Sequence, residues 1–500
     1  MTARSYSPRD GTAIGVVEQT PLEETLAIVD RAVAAAATIA DAAPIERRAW
    51  LDALADAVVS HGDELVRLAD AETALGVPRL TAELARMADQ LRFYGRVAED
   101  GGYLGVTIDE ATATTPRLVR LRGPLGPVAV FGSSNFPFGF GVLGNDSASA
   151  LASGCPVMAK AHPAHVLTSL RLAEIARVAL AEAGAPDGTH AVVVGRQAGV
   201  DLVSADGTRA VGFTGSQAGG LALWRIANER SEVIPVYAEM GTVNPIVLTE
   251  AGVAGIDQIA RGFVESFTLG SGQFCTKPGL LFAPAGHGVA RAVGDALKQA
   301  APQPTMLTET IAASVATGLD EMIAAGADVV ARVAGPGVGW SADAAVLSAP
   351  IDALTPDSRL LEECFGAVAV VVEYSDATEL EAGLHALHGS LAGAVFGSGE
   401  GDPDVARAVK LLANQVGRVS VGDWPTGVAW TWAQHHGGPW PATSDPRSTS
   451  VGAAALDRFV RPVTYQSVPD AALPLTARRA AASDNPWRIP RRIDGELVLP

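Results

Sequence analysis

Apolar residues recur at helical spacing from about Pro21 to Ala98, in stretches such as A-I-V-D-R-A-V-A-A-A-A-T-I-A. From Pro124 the pattern changes to short apolar runs closed by glycine or polar residues. P-L-G-P-V-A-V-F-G (124–132), P-V-M-A-K (156–160), H-A-V-V-V-G (190–195) and A-V-G-F-T-G-S (210–216) predict strands. Residues 146–153, 166–184 and 217–229 predict the helices between them. The strands read as continuous apolar runs rather than alternating ones, as expected where helices cover both faces of a sheet. Strand–helix alternation at this rhythm predicts a doubly wound parallel sheet of the Rossmann kind, with ligands at the carboxyl ends of its strands.

A second α/β region follows Val247. F-V-E-S-F-T-L-G-S-G-Q-F-C-T (263–276) predicts a helix running into a glycine turn, and strands return at 368–372 and 391–397. The last forty or so residues are rich in Pro and Arg and predict an arm or edge strand. The expected division is 1–247 for a cofactor domain, 248–435 for a catalytic domain, and 436–500 for a segment with a substrate-tunnel loop and an oligomerisation arm.

Composition narrows the class. A chain of 500 residues is too long for one small core, so several domains are expected. The net charge of −18 argues against nucleic-acid and anionic-membrane partners, so anionic ligands must be met by local cations and helix ends. Three cysteines, Cys155, Cys275 and Cys364, form no disulfide framework. With no apolar signal core at the N-terminus, the expected compartment is a reducing cytoplasm.

Several motifs carry chemistry. Cys275 follows the glycine turn of G-S-G-Q-F-C-T, where an accessible sulfur beside backbone N–H groups favours the thiolate. A lone cysteine is more often structural, and Cys155 and Cys364 keep that reading. Glu239, in V-Y-A-E-M-G-T-V-N-P, ends an apolar strand, where partial desolvation suits a general base. Asn135, in F-G-S-S-N-F-P-F-G-F, sits in a loop after a strand, where its amide can donate to an oxyanion. Lys160 ends a strand in K-A-H-P-A-H, within reach of a ribose or phosphate. The H-x-x-H pair His162 and His165 is not read as a metal site, because Pro163 disfavours a helix and no acidic or Cys partner lies nearby. G-F-T-G-S-Q-A-G-G (212–220) is a glycine loop opening a helix, able to present N–H groups to a phosphate. No Walker A motif or G-x-S-x-G elbow is present.

Taken in order, these motifs resemble the aldehyde dehydrogenase superfamily over nearly the whole chain. With W-P-T-G-V and H-G-G-P-W-P-A-T-S-D-P-R-S-T-S-V-G, they are similar to its α-ketoglutarate-semialdehyde (2,5-dioxovalerate) dehydrogenase group. The resemblance implies Cys275 as nucleophile, Glu239 as general base (in E-M-G-T where E-L-G-G is usual) and Asn135 as oxyanion donor. It implies Lys160, His162, Pro163, Gly215 and Ser216 at the cofactor, with Ser134 where Trp is common. In L-E-E-C-F-G-A it places Glu363 on the nicotinamide ribose and Phe365 nearby, with Ala367 replacing a usual proline. Phe136, Trp424, His435 and Arg447 fall on the substrate side, with Arg447 the candidate for a distal carboxylate and His436 in the same tunnel.

The implied reaction is NAD(P)-dependent oxidation of an aldehyde to a carboxylate through a thiohemiacetal and a thioester. The implied aldehyde is α-ketoglutarate semialdehyde, with a long-chain aliphatic aldehyde as the rival. A catalytically silent relative and an ester hydrolase are the other classes weighed. Pro163 stands where NAD-preferring relatives carry a glutamate that would repel a 2′-phosphate. Arg196, after the strand 190–195, is positioned to pair with one, so NADP is expected, with NAD as an alternative cofactor. A homodimer or homotetramer is expected.

Overall fold

The computed structural model describes residues 2–399 and 401–500. Four helices, Leu22–Asp41, Pro44–Ser60, Gly62–Thr73 and Val77–Asp100, fill the predicted helical stretch. Their apolar faces (Leu54, Met87 and Tyr94 among them) pack into one core with Val130 of the first sheet and Phe459 of the C-terminal region. Burying a side chain of this size contributes about 1.5–3 kcal/mol, so such a cluster fixes how these pieces sit together.

The first sheet is wholly parallel, in the order His190–Val193, Val157–Lys160, Val128–Phe131, Ala210–Gly215, Val236–Met240. Val128–Phe131 is buried at every position, which is why it reads as an unbroken apolar run. Phe131 pairs with Lys160 on one side and Phe213 on the other, while Thr214 pairs with Glu239. The carboxyl ends of the strands therefore form one rim, with Lys160 toward one edge and Glu239 at the other.

A second sheet of seven strands runs Asp328–Val333, Ala344–Pro350, Val368–Tyr374, Leu280–Pro284, Pro245–Leu248, Ser390–Phe396, Val416–Val421. Its neighbours are parallel except for the antiparallel edge pair Asp328–Val333 and Ala344–Pro350. The helix Ile256–Thr268 packs Phe263 and Phe267 on this sheet and delivers the chain to the nucleophile turn.

Two arrangements depart from a simple three-part division. Strands Val106–Asp109 and Leu118–Pro124 lie in the 1–247 stretch, yet they join Val460–Gln466, Arg491–Ile493 and Glu496–Val498 in a separate five-stranded sheet. The C-terminal stretch also reaches back to the first sheet, where Met240 N–H donates to Ala442 O (2.8 Å) and Ser444 N–H to Ala238 O (3.1 Å). Strand partners are set by which edges are free in space, so neither pairing is encoded near the residues that make it. Among the described residues, no helix is long and apolar enough to cross a membrane.

Candidate active site

A cavity of about 970 Å³ opens between the two large sheets. Asn135, Lys160, His162, Pro163, Gly215, Ser216, Glu239, Cys275, Glu363 and Phe365 all line it.

Cys275 is presented by an irregular turn in which Gly270, Ser271 and Gly272 all have left-handed backbones. At Gly272 (φ +73°) an added Cβ would lie 2.2 Å from the Gly366 backbone, so only glycine fits. Asn244 locks the far side of the turn, its amide donating to Cys275 O (2.7 Å) and Lys277 O (3.0 Å). The buried Lys277 ammonium donates to Cys364 O and Val368 O, tying the nucleophile's turn to the loop of Glu363 and Phe365.

The sulfur lies 3.5 Å from His436 Nε2. The same nitrogen lies 3.1 Å from Glu239 Oε2. His436 and Glu239 are both buried. Ser450 Oγ–H donates to Glu239 Oε2 (3.4 Å), and Ser450 N–H donates to His436 O (2.8 Å). The three donor atoms on Glu239, Cys275 and His436 lie within 4.8 Å of one another, a spacing that suits proton transfer as well as metal ligation.

The expected thiolate-favouring environment is not what the fold builds. Burial, then the carboxylates of Glu239 and Glu363, push the Cys275 thiol well above its ordinary range, and the N–H groups of Thr276 and Cys275 only partly oppose them. This environment favours the thiol, and the side chains beside the sulfur are His436 and Glu239.

Asn135 is buried, and its amide donates to Gln273 O (2.8 Å), leaving a second N–H on the nitrogen. Its neighbour Phe136 does not line the cavity. The Phe136 ring meets Phe274 edge-on at 5.1 Å and lies 5.7 Å from Phe140. Arg79 wedges its guanidinium between Phe136 and Phe274, 5.2 and 5.0 Å from their centroids. Its Nη2 donates to Asn135 O (2.8 Å), whereas Nη1 is buried with no partner.

The residues at the other end fit a nicotinamide dinucleotide. Ser133 Oγ, Thr214 Oγ1 and Glu363 Oε1 line the cavity, buried and without protein partners. Burial pushes the Glu363 carboxyl up to about 7. Its Oε2 would lie 1.8 Å from a Cβ at Gly241, so the glycine of E-M-G-T makes room for it. Burial lowers Lys160 to about 8. Ser216 caps helix Gln217–Asn228, accepting from Gly219 N–H (3.2 Å), and that helix end opens into the cavity beside Gly215. His162 and His165 spend their facing nitrogens on Ala164 N–H and Ser133 O.

Five expected residues lie outside the cavity lining, Phe136 among them. Arg196 is exposed at the start of helix Arg196–Ser204 and does not line the cavity. Arg447 has an 89% exposed side chain, pairs with Asp445 (3.1 Å) and does not line the cavity. Trp424 packs on Phe396 and Phe263, with centroids at 4.2 and 5.9 Å, beneath the second sheet's helix. His435 is half-buried beside His436 but does not line the cavity. In each case solvent and neighbours outside the motif decide the position. Conversely, Arg79 carries no sequence signal, while the H-H pair at 435–436 marks the right loop without saying which ring turns inward.

Comparison with known proteins identifies the family. The family model "Aldehyde dehydrogenase family" matches residues 1–439. The alpha-ketoglutaric semialdehyde dehydrogenase 2 of Azospirillum brasilense is 41% identical, covering 99% of this chain and 96% of that protein. The alpha-ketoglutaric semialdehyde dehydrogenase of Acinetobacter baylyi is 37% identical over 91% of this chain and 87% of its own. Among solved structures, a betaine aldehyde dehydrogenase from Staphylococcus aureus superposes with a TM-score of 0.81 at 19% identity, covering 94% of this chain and 93% of that one. That last likeness concerns the fold.

Proposed function

The chain belongs to the aldehyde dehydrogenase family, and from that premise we propose that it oxidises α-ketoglutarate semialdehyde to 2-oxoglutarate, with NADP preferred over NAD. The family uses NAD(P). The observation that carries the reading is the Cys275 sulfur facing His436 Nε2, itself on Glu239, in the wall of the cavity that Lys160 and Glu363 also line. The semialdehyde assignment draws on the two relatives of that name at 41% and 37% identity.

In this reading His436 takes the thiol proton as the sulfur adds to the aldehyde carbon. The imidazolium so formed faces the Glu239 carboxylate, which offsets its charge in a buried site. The second N–H of Asn135 donates to the oxyanion, and the Gln273 contact holds the amide in place. When bound, the nicotinamide ring supplies the hydride acceptor that turns the thiohemiacetal into a thioester. Lys160 and Glu363 hold the two riboses, and the helix end at Ser216 meets the pyrophosphate. Glu239, steadied by Ser450, then takes a proton from water as it attacks the thioester, and the acid leaves with the sulfur restored.

The distal carboxylate needs a cation on the Phe136 side of Asn135. Arg79, outside the cavity lining but bonded to Asn135 O and carrying a buried, unpartnered Nη1 beside Phe136 and Phe274, takes the role expected of Arg447 in this reading. The surrounding rings of Phe136, Phe140 and Phe274 would also suit a long aliphatic aldehyde, which is the second reading. Three unpaired cysteines suit a cytoplasmic enzyme. The exposed edge strand Glu496–Val498, with Leu497 outward, suits self-association as a dimer or tetramer.

Reduced nicotinamide is the readout. Purified protein is mixed with NADP or NAD and a panel containing α-ketoglutarate semialdehyde, long-chain aldehydes and an aryl ester. The semialdehyde is expected to give the highest kcat/KM. A higher value for a long-chain aldehyde overturns the substrate, and ester cleavage without nicotinamide reduction by any aldehyde overturns the activity.

A further inference from the structure

We propose that Arg4, on the N-terminal hairpin, is the cation that receives the adenosine 2′-phosphate of the cofactor. This rests on the NADP reading above and names a residue for it.

The topology fixes which way a dinucleotide runs. The reacting atoms lie at the Glu239 edge of the first sheet, and the strand order from there is Ala210–Gly215, Val128–Phe131, Val157–Lys160, His190–Val193. A cofactor with its nicotinamide at Cys275 must therefore pass the helix end at Ser216 and bring its adenosine to the turn after Lys160. That turn carries His162 and Pro163 and no carboxylate.

Strand Thr2–Tyr6 lies against this turn. Ala3 packs beside Ala161, Val166 and Val194. Ser5 Oγ–H donates to the buried Glu72 carboxylate (2.6 Å), which also accepts from Leu167 N–H (2.9 Å) and Thr168 N–H (2.7 Å). Successive side chains of a strand point to opposite faces. With Ala3 and Ser5 anchored inward, Arg4 and Tyr6 turn the other way, and both line the cavity with Lys160 and His162. Beyond Tyr6 the hairpin docks on the second sheet's side, where Trp340 N–H donates to Pro8 O (2.9 Å). The strand bearing Arg4 is therefore held at both ends.

The guanidinium is free for a ligand. Arg9 is tied to Asp70 (2.8 Å), whereas Arg4 forms no ion pair among the described residues. Of the carboxylates lining the cavity, Asp10 is occupied by Thr12 N–H (3.0 Å) and Thr12 Oγ–H (2.7 Å), and Glu239 and Glu363 lie at the reacting end. Glu309 opens the helix Glu309–Ala324. A planar guanidinium matches two oxygens of a phosphate, while the buried Lys160 remains for the ribose. Arg196, outside the lining, is replaced in this role.

Calorimetric titration with 2′,5′-ADP and with ADP tests the proposal without turnover. Wild type is expected to bind 2′,5′-ADP more tightly than ADP. Arg4→Ala should lose roughly tenfold or more of that preference, as expected for one charge-assisted phosphate contact, with ADP binding and Tm unchanged. Arg4→Lys should keep part of the preference and Arg196→Ala all of it. A wild-type ratio in Arg4→Ala overturns the role of Arg4 alone. A wild type that does not prefer 2′,5′-ADP overturns the NADP reading and the proposal together.

Discussion

His436 Nε2 stands 3.5 Å from the Cys275 sulfur, although 161 positions separate the two residues along the chain. Burial and carboxylates push the thiol up, so the proposed mechanism assigns its activation to the imidazole. His436→Ala should slow alkylation of Cys275 by iodoacetamide roughly 10²-fold or more, the usual reach of a general base. It should also move the alkylation profile to higher pH. Unchanged alkylation in the variant would show that another base serves the sulfur.

In the proposed mechanism Glu239, held by Ser450, is the base only for the attack of water on the thioester, its part in the first step being to face His436. Glu239→Gln should keep a single-turnover burst of reduced nicotinamide while steady-state kcat falls roughly 10²–10⁴-fold. Stopped-flow absorbance separates the two phases. Loss of the burst together with the steady state would place Glu239 in the first step.

Asn135→Ala removes the proposed oxyanion donor and the link to Gln273 O. A fall in kcat of about 10²–10³, with nicotinamide binding preserved, is the expected outcome. Fluorescence titration of the cofactor provides the control.

The role proposed for Arg79 separates substrate recognition from chemistry. Arg79→Ala should raise KM for α-ketoglutarate semialdehyde roughly tenfold or more, as loss of one charge-assisted contact allows. It should change KM little for an uncharged aldehyde of the same length. Arg447→Ala should alter neither, since that side chain is exposed on Asp445.

Glu83 offers a test of stability against pH. Its Oε1 accepts from Phe138 N–H (2.8 Å) and Gly139 N–H (3.0 Å), its Oε2 is buried without a partner, and burial pushes the carboxyl up to about 7. The folded state thus keeps a proton that the unfolded state gives up from its ordinary value of 4.5. Its contribution is fully present below pH 4.5 and is lost as pH rises toward about 7. Glu83→Gln mimics the protonated form. The two proteins should match in denaturant stability at low pH, and the variant should gain up to about 3 kcal/mol by pH 8. Parallel curves across that range would refute the assignment.

Sequence alone determined the parts whose physics is local. Apolar runs such as 124–132 and 210–216 read as strands because helices cover both faces of the sheet, and both appear, as Val128–Phe131 and Ala210–Gly215. The glycines before Cys275 and the Ser at the head of helix Gln217–Asn228 are likewise local signals, since a left-handed turn and a helix cap each need particular residues at fixed offsets. The chain's motif order also carried the family. Tertiary structure decided the rest. It buried His436 rather than His435, set the direction of the Cys275 thiol, left Arg447 and Arg196 in solvent, packed Arg79 against Phe136 and Phe274, and brought Arg4 into the cavity lining. These outcomes depend on which distant surfaces exclude water from a group. Desolvation and pairing are properties of the whole packed neighbourhood, and no short stretch of sequence contains them.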